Sequence, residues 1–497
     1  MRVTGIFLAI GVLLGGGIGA KGEVILPAIF SDHMVLQRDA RVPVWGRAAP
    51  SEKVIVQIDQ QIRETIADPG GKWRVSLDLA KSGPGPFQMS VAGSNRIVIS
   101  DVVVGEVWLA AGQSNMAFGL GKSVEAEKEI PISHDSLLRQ FKVLPVAQLY
   151  PNDECKGSWV CAGPTTAGMF SAVAYYFGKK LRSEIGSPVG LINCSMSSTP
   201  IESWMSGEAM DADPDLKAMK EHLWSLRDGT TSEGKLPIPS LVPGALFHGT
   251  VQPLIPYGLA GFLWSQGESN AKRGWPYREA LRLLIVDWRT KWGRADLPFY
   301  FCQAANFGPR KAEPAESGWA ELRESQATAL ALPNTGMAVL IDTEPGGDLH
   351  PRDKKDAGER LAFLALTQKY GKPQPSPGPQ FRSFSIEQGK VRLTFDHVQG
   401  GLVSKIDAGE TSGVSGEKGT PEKPTGFAIC GGDRKWRWAS SAIEGDSVLV
   451  WSDQVPEPVA VRYAWADNPV ATLFDGEGLP VAPFRTDNFP VASQKRK

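Results

Sequence analysis

The chain has little of what metal centres, disulfide scaffolds and charged partners require. Its 497 residues hold six His and five Cys (Cys155, Cys161, Cys194, Cys302 and Cys430). Their spacing fits no zinc pattern, so neither a metal nor a cofactor is expected. An odd number leaves at least one thiol unpaired. Cys155 and Cys161 are near enough in sequence to close a small loop. A chain this large needs no staples to fold, and free buried thiols are the expected state. With 53 Lys and Arg against 54 Asp and Glu, the net charge is −1, which supplies no field to attract nucleic acid or an acidic membrane. Beyond the first twenty residues no run reaches the roughly 18 apolar residues of a membrane span, so stable membrane insertion is not expected.

What is present starts with the leader. Arg2 supplies a positive end, Ile6 to Leu14 form a short apolar stretch, and Gly15 to Ala20 offer small residues around a cut after Ala20. The pattern predicts a signal peptide over residues 1–20 and an exported protein, periplasmic or secreted. The length exceeds what one core supports, so two or three domains are expected. Fifteen Trp is a high count; some exposed rings would suit sugar stacking, although packing accounts for most Trp in any protein.

From Glu23 to Val104 short alternating runs such as Val54–Ile58 and Trp73–Leu77 are separated by Gly- and Pro-rich turns, which predicts a small β-sandwich over 21–104. The texture then changes. Val102 to Ala111 is nearly all apolar, as a parallel strand buried on both faces requires. Similar runs follow at Val189–Asn193, Gly258–Trp264, Phe299–Cys302 and Met337–Ile341. Helical patterns alternate with them at Phe170–Ile185, Tyr277–Trp292 and Lys354–Lys369, which implies an α/β layer fold with a parallel sheet over 105–371. A stiff Pro-rich linker spans 372–379, and β texture returns over 380–497, interrupted by a Gly- and Lys-rich stretch from Gly409 to Lys423 that reads as a loop.

Three polar clusters each follow a predicted parallel strand, where an open α/β sheet presents its ligand site. The first is Gly112-Gln113-Ser114-Asn115-Met116. A Ser on a sharp turn leaving a buried strand projects its hydroxyl into the crevice, although a single such Ser is equally well explained as a helix N-cap. The second is Gln266-Gly267-Glu268-Ser269-Asn270, where two amides and a carboxylate exceed what a turn needs, and either amide can donate to an oxyanion. The third is Gly346-Gly347-Asp348-Leu349-His350-Pro351, with one of the few His beside a carboxylate that can fix its tautomer. Together they supply a nucleophile, a base, an orienting acid and amide donors, the set for acyl transfer.

In these blocks the chain resembles the bacterial sialate O-acetylesterase-like proteins of the SGNH-hydrolase superfamily. The resemblance extends to Leu26–Gln37, Val107–Met116, Trp264–Ala271, Trp319–Glu324 and Asp348–Pro351. It implies a three-layer α/β/α, flavodoxin-like catalytic domain with a parallel sheet, flanked by N-terminal and C-terminal β-sandwich-like domains. It also implies Ser114 as nucleophile, His350 as base and Asn270 as oxyanion donor together with the Ser114 N–H, on an acetylated sugar or oligosaccharide. Gln113, Ser198, Gln266 and Glu268 are the further oxyanion or substrate-binding candidates.

Two departures stand out. Many members carry glycines where Ser197 and Ser198 stand here. The superfamily's acid usually lies three residues before the His, a position held by Gly347, so Asp348 is the expected acid and Glu268 its rival. Plant cell-wall polysaccharide acetyl esters are the alternative substrate, with Arg273 and Arg310 as candidate carboxylate grips were the sugar sialate. A non-catalytic carbohydrate-binding protein would have no reason to keep Ser114, Asn270 and His350 together.

Overall fold

The structure, a computed structural model, describes residues 23–39, 41–225, 238–343, 346–375, 377–405 and 423–495. The expected signal peptide, and all but the last residue of the Gly409–Lys423 stretch, lie outside them. Among the described residues no helix is long and apolar enough to cross a membrane.

Six short strands come first: β1 (Val35–Gln37), β2 (Val42–Arg47), β3 (Lys53–Ile58), β4 (Gln61–Ile66), β5 (Lys72–Leu77) and β6 (Phe87–Ala92). β2 pairs antiparallel with β5, and β3 pairs antiparallel with both β4 and β6. In β5 the alternation Trp73, Val75, Leu77 inward and Lys72, Arg74, Ser76 outward is the half-buried pattern that the sequence carries.

β7 (Arg96–Gly112) is 17 residues long and does two jobs. Its first half pairs antiparallel with β6, while the second half becomes the middle of a parallel sheet. The expected boundary at residues 104 and 105 therefore falls inside one continuous strand. Every residue from Val102 to Gly112 is buried, which is why this stretch shows no two-residue period.

The parallel sheet is completed by β8 (Asp135–Val143), β9 (Gly157–Ala162), β10 (Val189–Ser195), β11 (Gly261–Ser265), β12 (Phe299–Cys302) and β13 (Thr335–Ala338). Its order is β13-β12-β11-β7-β10-β8-β9, with only the edge strand β9 antiparallel. Side chains alternate along β7. Trp108 and Ala110 face helices Ala172–Ile185 and Lys355–Gln368, whereas Val107, Leu109 and Ala111 join the core under Gly274–Lys291. Three layers result. The first helix stops at Gly186, whose φ of +68° is the left-handed cap that glycine adopts without strain.

Beyond the linker the chain forms antiparallel sheets. One holds Gln380–Glu387, Lys390–Asp396, Ser447–Trp451 and Ser440–Glu444; a second is built on Phe427–Cys430 and Ala460–Tyr463, and a third pairs Leu402–Ser404 with Leu473–Asp475. This part is fastened to the catalytic layers through the fully buried Arg323, which donates to the carbonyls of Ala304 and Ala305 and to those of Ala466 and Asp467. Packing claims most of the tryptophans. Trp108, Trp204, Trp264 and Trp288 are fully buried, while Trp438 is exposed. All five cysteines are free.

Candidate active site

Three neighbouring strands end level with one another. Gly112 of β7 is in register with Ser195 of β10 on one side and Ser265 of β11 on the other. β7 lies between strands reached in opposite directions, so the crevice at their carboxyl ends is the topological switch point. Gly112 has φ +133°, and a Cβ there would sit 2.0 Å from the Ser265 carbonyl oxygen. Only glycine makes this turn. The Gln113 N–H then donates to Ser265 O at 2.9 Å, and Met196 N–H donates to Gly112 O at 3.0 Å. Ser114 follows, half-buried, as the first residue of the short helix Ser114–Ala117.

Asn115 joins this turn to the His loop. Its Nδ2 donates to Leu349 O at 3.1 Å and to Glu268 Oε1 at 2.5 Å, while its Oδ1 accepts from Lys354 Nζ at 2.7 Å. The residue after Ser114 is thus bonded to the residue before His350. His350 is half-buried, and its backbone N–H donates to Asp348 Oδ1 at 2.9 Å. Asp348 is exposed and in this conformation serves the backbone of its own loop. Glu268 spends Oε1 on Asn115, and its Oε2 is buried without a hydrogen-bond partner.

Two expected oxyanion donors are engaged elsewhere. Asn270 Nδ2 donates to both oxygens of Glu202, at 3.0 and 3.3 Å, and its Oδ1 accepts from Ile201 N–H and Gln266 Nε2. Gln266 Nε2 is shared between Asn270 Oδ1 and Thr199 O, and its Oε1 accepts from Tyr277 OH. Both residues are 2% exposed, so each had to satisfy its amide internally. They brace the loop after β10, which carries Ser197 and Ser198. Ser198 is exposed with φ +60°, a left-handed backbone that costs a non-glycine residue about 1–2 kcal/mol. Gln113 is 3% exposed and accepts from Ser269 N–H at 3.3 Å, tying the first cluster to the second.

Sequence reasoning missed Lys354, Glu202 and the bracing role of Asn115. Glu202 lies under Arg273, whose Nη1 donates to it at 3.0 Å. Lys354 is 4% exposed at the N-terminal cap of helix Lys355–Gln368. Burial pushes its pKa down to about 8. A readable signal existed, since a cation at a helix N-terminus opposes the macrodipole and calls for some other reason to be there. Arg310 lies apart from these groups, lining a cavity with Trp438 and Trp465. Among the described residues one set of potential cation ligands, His33, Asp101 and Cys161, is gathered, away from Ser114 toward the amino end of β8; there Asp101 already accepts from Arg139 and pairs with His33.

No family model matches the chain. It is 28% identical to the sialate O-acetylesterase of Mus musculus, covering 91% of this chain and 92% of that one. Against the Homo sapiens sialate O-acetylesterase the identity is 27%, over 91% of each chain. The crystal structure of a carbohydrate acetylesterase from Xanthomonas citri superposes with a TM-score of 0.82 at 36% identity, covering 94% of this chain and all of that one. With the same layers and nearly full coverage of both chains, the chain belongs to the sialate O-acetylesterase-like family of carbohydrate O-acetylesterases, which are carboxylic ester hydrolases.

Proposed function

We propose that the esterase works through an acyl-enzyme on Ser114, with His350 as general base and Asp348 as its orienting acid. The observation that supports this best is the Asn115 strap, which holds the Ser114 turn against the His350 loop at 3.1 Å. His350 removes the Ser114 proton as Oγ attacks the acetyl carbonyl. The tetrahedral oxyanion is held by backbone N–H groups of Ser114 and Ser198, with Asn270 and Gln266 stiffening the second of these loops. Collapse breaks the bond to the sugar oxygen, which takes the proton from His350. Water, deprotonated by His350, then attacks the acetyl-serine; the bond from the acetyl carbon to Ser114 Oγ breaks, Oγ takes the proton back from His350, and the acid is released as acetate. Glu268, committed to Asn115, is the poorer candidate for the acid.

The substrate is an O-acetylated sugar, and sialate is the first to test because the mammalian relatives carry that name. One observation favours a neutral glycan, such as an acetylated plant cell-wall polysaccharide, instead. Arg273, which shares Glu202 with Asn270, is already paired with that carboxylate and so is a weaker grip for a sugar carboxylate. The leader predicts export, and proteolytic loss of residues 1–20 on secretion tests it. For the chemistry, Ser114→Ala should fold normally and retain under a few per cent of the wild-type rate on a small acetyl ester. Greater residual activity removes Ser114 from the nucleophile role. Acetate release from 9-O-acetyl sialic acid, acetylated xylan and acetylated xyloglucan ranks the sugars.

A further inference from the structure

We propose that Lys354 is a positioning residue of this esterase, acting through Asn115 to hold the nucleophile turn and the base loop in register. The inference rests on the reading of Ser114 and His350 as nucleophile and base. Its own support is geometric. Lys354 Nζ donates to Asn115 Oδ1 at 2.7 Å, and the two residues are 4% and 7% exposed. With Glu268, Asp353, Ser265 and Cys302 they line one small cavity of about 20 Å³.

The ammonium on one side and the acceptors Leu349 O and Glu268 on the other together fix which way the Asn115 amide faces. An Asn side chain has a donor end and an acceptor end of nearly equal shape. Turned over, it would point Nδ2 at the three N–H donors of the lysine and offer its oxygen to Leu349 O and Glu268, so every contact would be repulsive. With Lys354 in place only one orientation is satisfied, and that orientation makes the bond to Leu349 O. Without it the buried Asn115 oxygen has no donor, and the strap between Ser114 and His350 is held from its amide end alone. A misplacement of about 1 Å between reacting groups costs on the order of 100-fold in rate.

Stability does not explain the lysine. A buried ammonium is costly, the helix N-terminus it caps repels cations, and an apolar side chain of similar length would fill the same space. The Phe118 face, 4.9 Å from Nζ, repays part of this. The acidic groups that face Nζ are Glu268, Asp353 and Asp348, with the Cys302 thiol beside them; burial outweighs them and leaves the pKa near 8. Deprotonation therefore removes the charge opposite Glu268 in the ordinary assay range.

The test is Lys354→Met, assayed on a small acetyl ester for kcat and KM, for the rate of inactivation by a serine-directed phosphonate, and for thermal midpoint. Expected are a fall in kcat of about 100-fold, a parallel fall in phosphonate inactivation, KM within about twofold and a midpoint near or above wild type. Wild type should lose activity above about pH 8 along a limb that the variant lacks. Asn115→Ala supplies the second arm, because adding Lys354→Met to it should cost little more if lysine acts through Asn115. Should Lys354→Met fail to fold, Asn115→Asp, which keeps an acceptor for Lys354 but cannot donate to Leu349 O, must show the same kcat loss. A folded Lys354→Met within threefold of wild-type kcat, or full additivity with Asn115→Ala, overturns the proposal. Ser114→Ala run in parallel separates the failures: an active Ser114→Ala sinks the underlying reading, while an inactive one beside an unaffected Lys354→Met sinks this inference alone.

Discussion

Exchanging each rival carboxylate for its amide, Asp348→Asn and Glu268→Gln, decides which one orients His350. Asp348 Oδ1 accepts the His350 N–H at 2.9 Å, and an Asn oxygen accepts it equally well, so the loop keeps its shape. What is lost is the negative charge that selects the imidazole tautomer and stabilises the imidazolium. For a triad acid that loss is worth about 10⁴ in kcat, or roughly 5.5 kcal/mol. Glu268→Gln likewise keeps an oxygen for Asn115 Nδ2, and the bond merely ceases to be charge-assisted, a change of about 1 kcal/mol or five- to tenfold in rate. Its new NH₂ would take the place of the buried, unpartnered Oε2 and cost about 1–3 kcal/mol of stability, visible as a lower midpoint. Both variants are measured on one acetyl ester at pH 7, with circular dichroism to certify the fold. If Glu268→Gln loses more kcat than Asp348→Asn, the assignment of Asp348 is wrong.

The layers of this fold were legible because their causes are local. Val102–Ala111 and Val189–Asn193 are apolar without period since both faces are covered, and Gly186 marks a helix end since only glycine takes that backbone cheaply. The catalytic blocks were legible because each follows a strand. What joins them was not. Asn115 meets Glu268 across 153 residues and Lys354 across 239, and no periodicity encodes contacts of that range. The internal partners of the two candidate oxyanion amides were hidden for a related reason. Asn270 and Gln266 are the residue types that stabilise oxyanions, but type does not show burial, and a buried amide must first satisfy itself against Glu202, Thr199 and Tyr277. A boundary at residues 104 and 105 followed the change in composition, yet a strand can change its environment midway without a break, as β7 does.

Three further outcomes follow. Ser198→Gly should raise stability by about 0.5–1 kcal/mol, the relief of its left-handed backbone less the added freedom of the unfolded chain; an unchanged or lower denaturant midpoint would contradict this. Activity should survive prolonged EDTA, and a loss restored by zinc or calcium would speak against a metal-free acyl transfer. The last concerns alkaline stability. Lys354 titrates near 8 in the folded chain against 10.5 when free, so below pH 8 the folded state carries the full cost of the buried charge. Between pH 8 and 10.5 the unfolded chain binds more protons than the folded one, and stability from this group rises with pH, by up to about 3 kcal/mol at 1.36 kcal/mol per unit. Buried thiols and phenols, whose pKa values burial pushes upward, act oppositely in the same range, so the wild-type curve alone would not isolate the effect. The difference between wild type and Lys354→Met does, because the groups remote from Nζ are common to both and, of these thiols and phenols, only the Cys302 thiol lies beside it. That difference should move toward wild type as pH is raised from 7 to 10, and a difference that stays flat would mean that Lys354 is not the buried cation its surroundings make it.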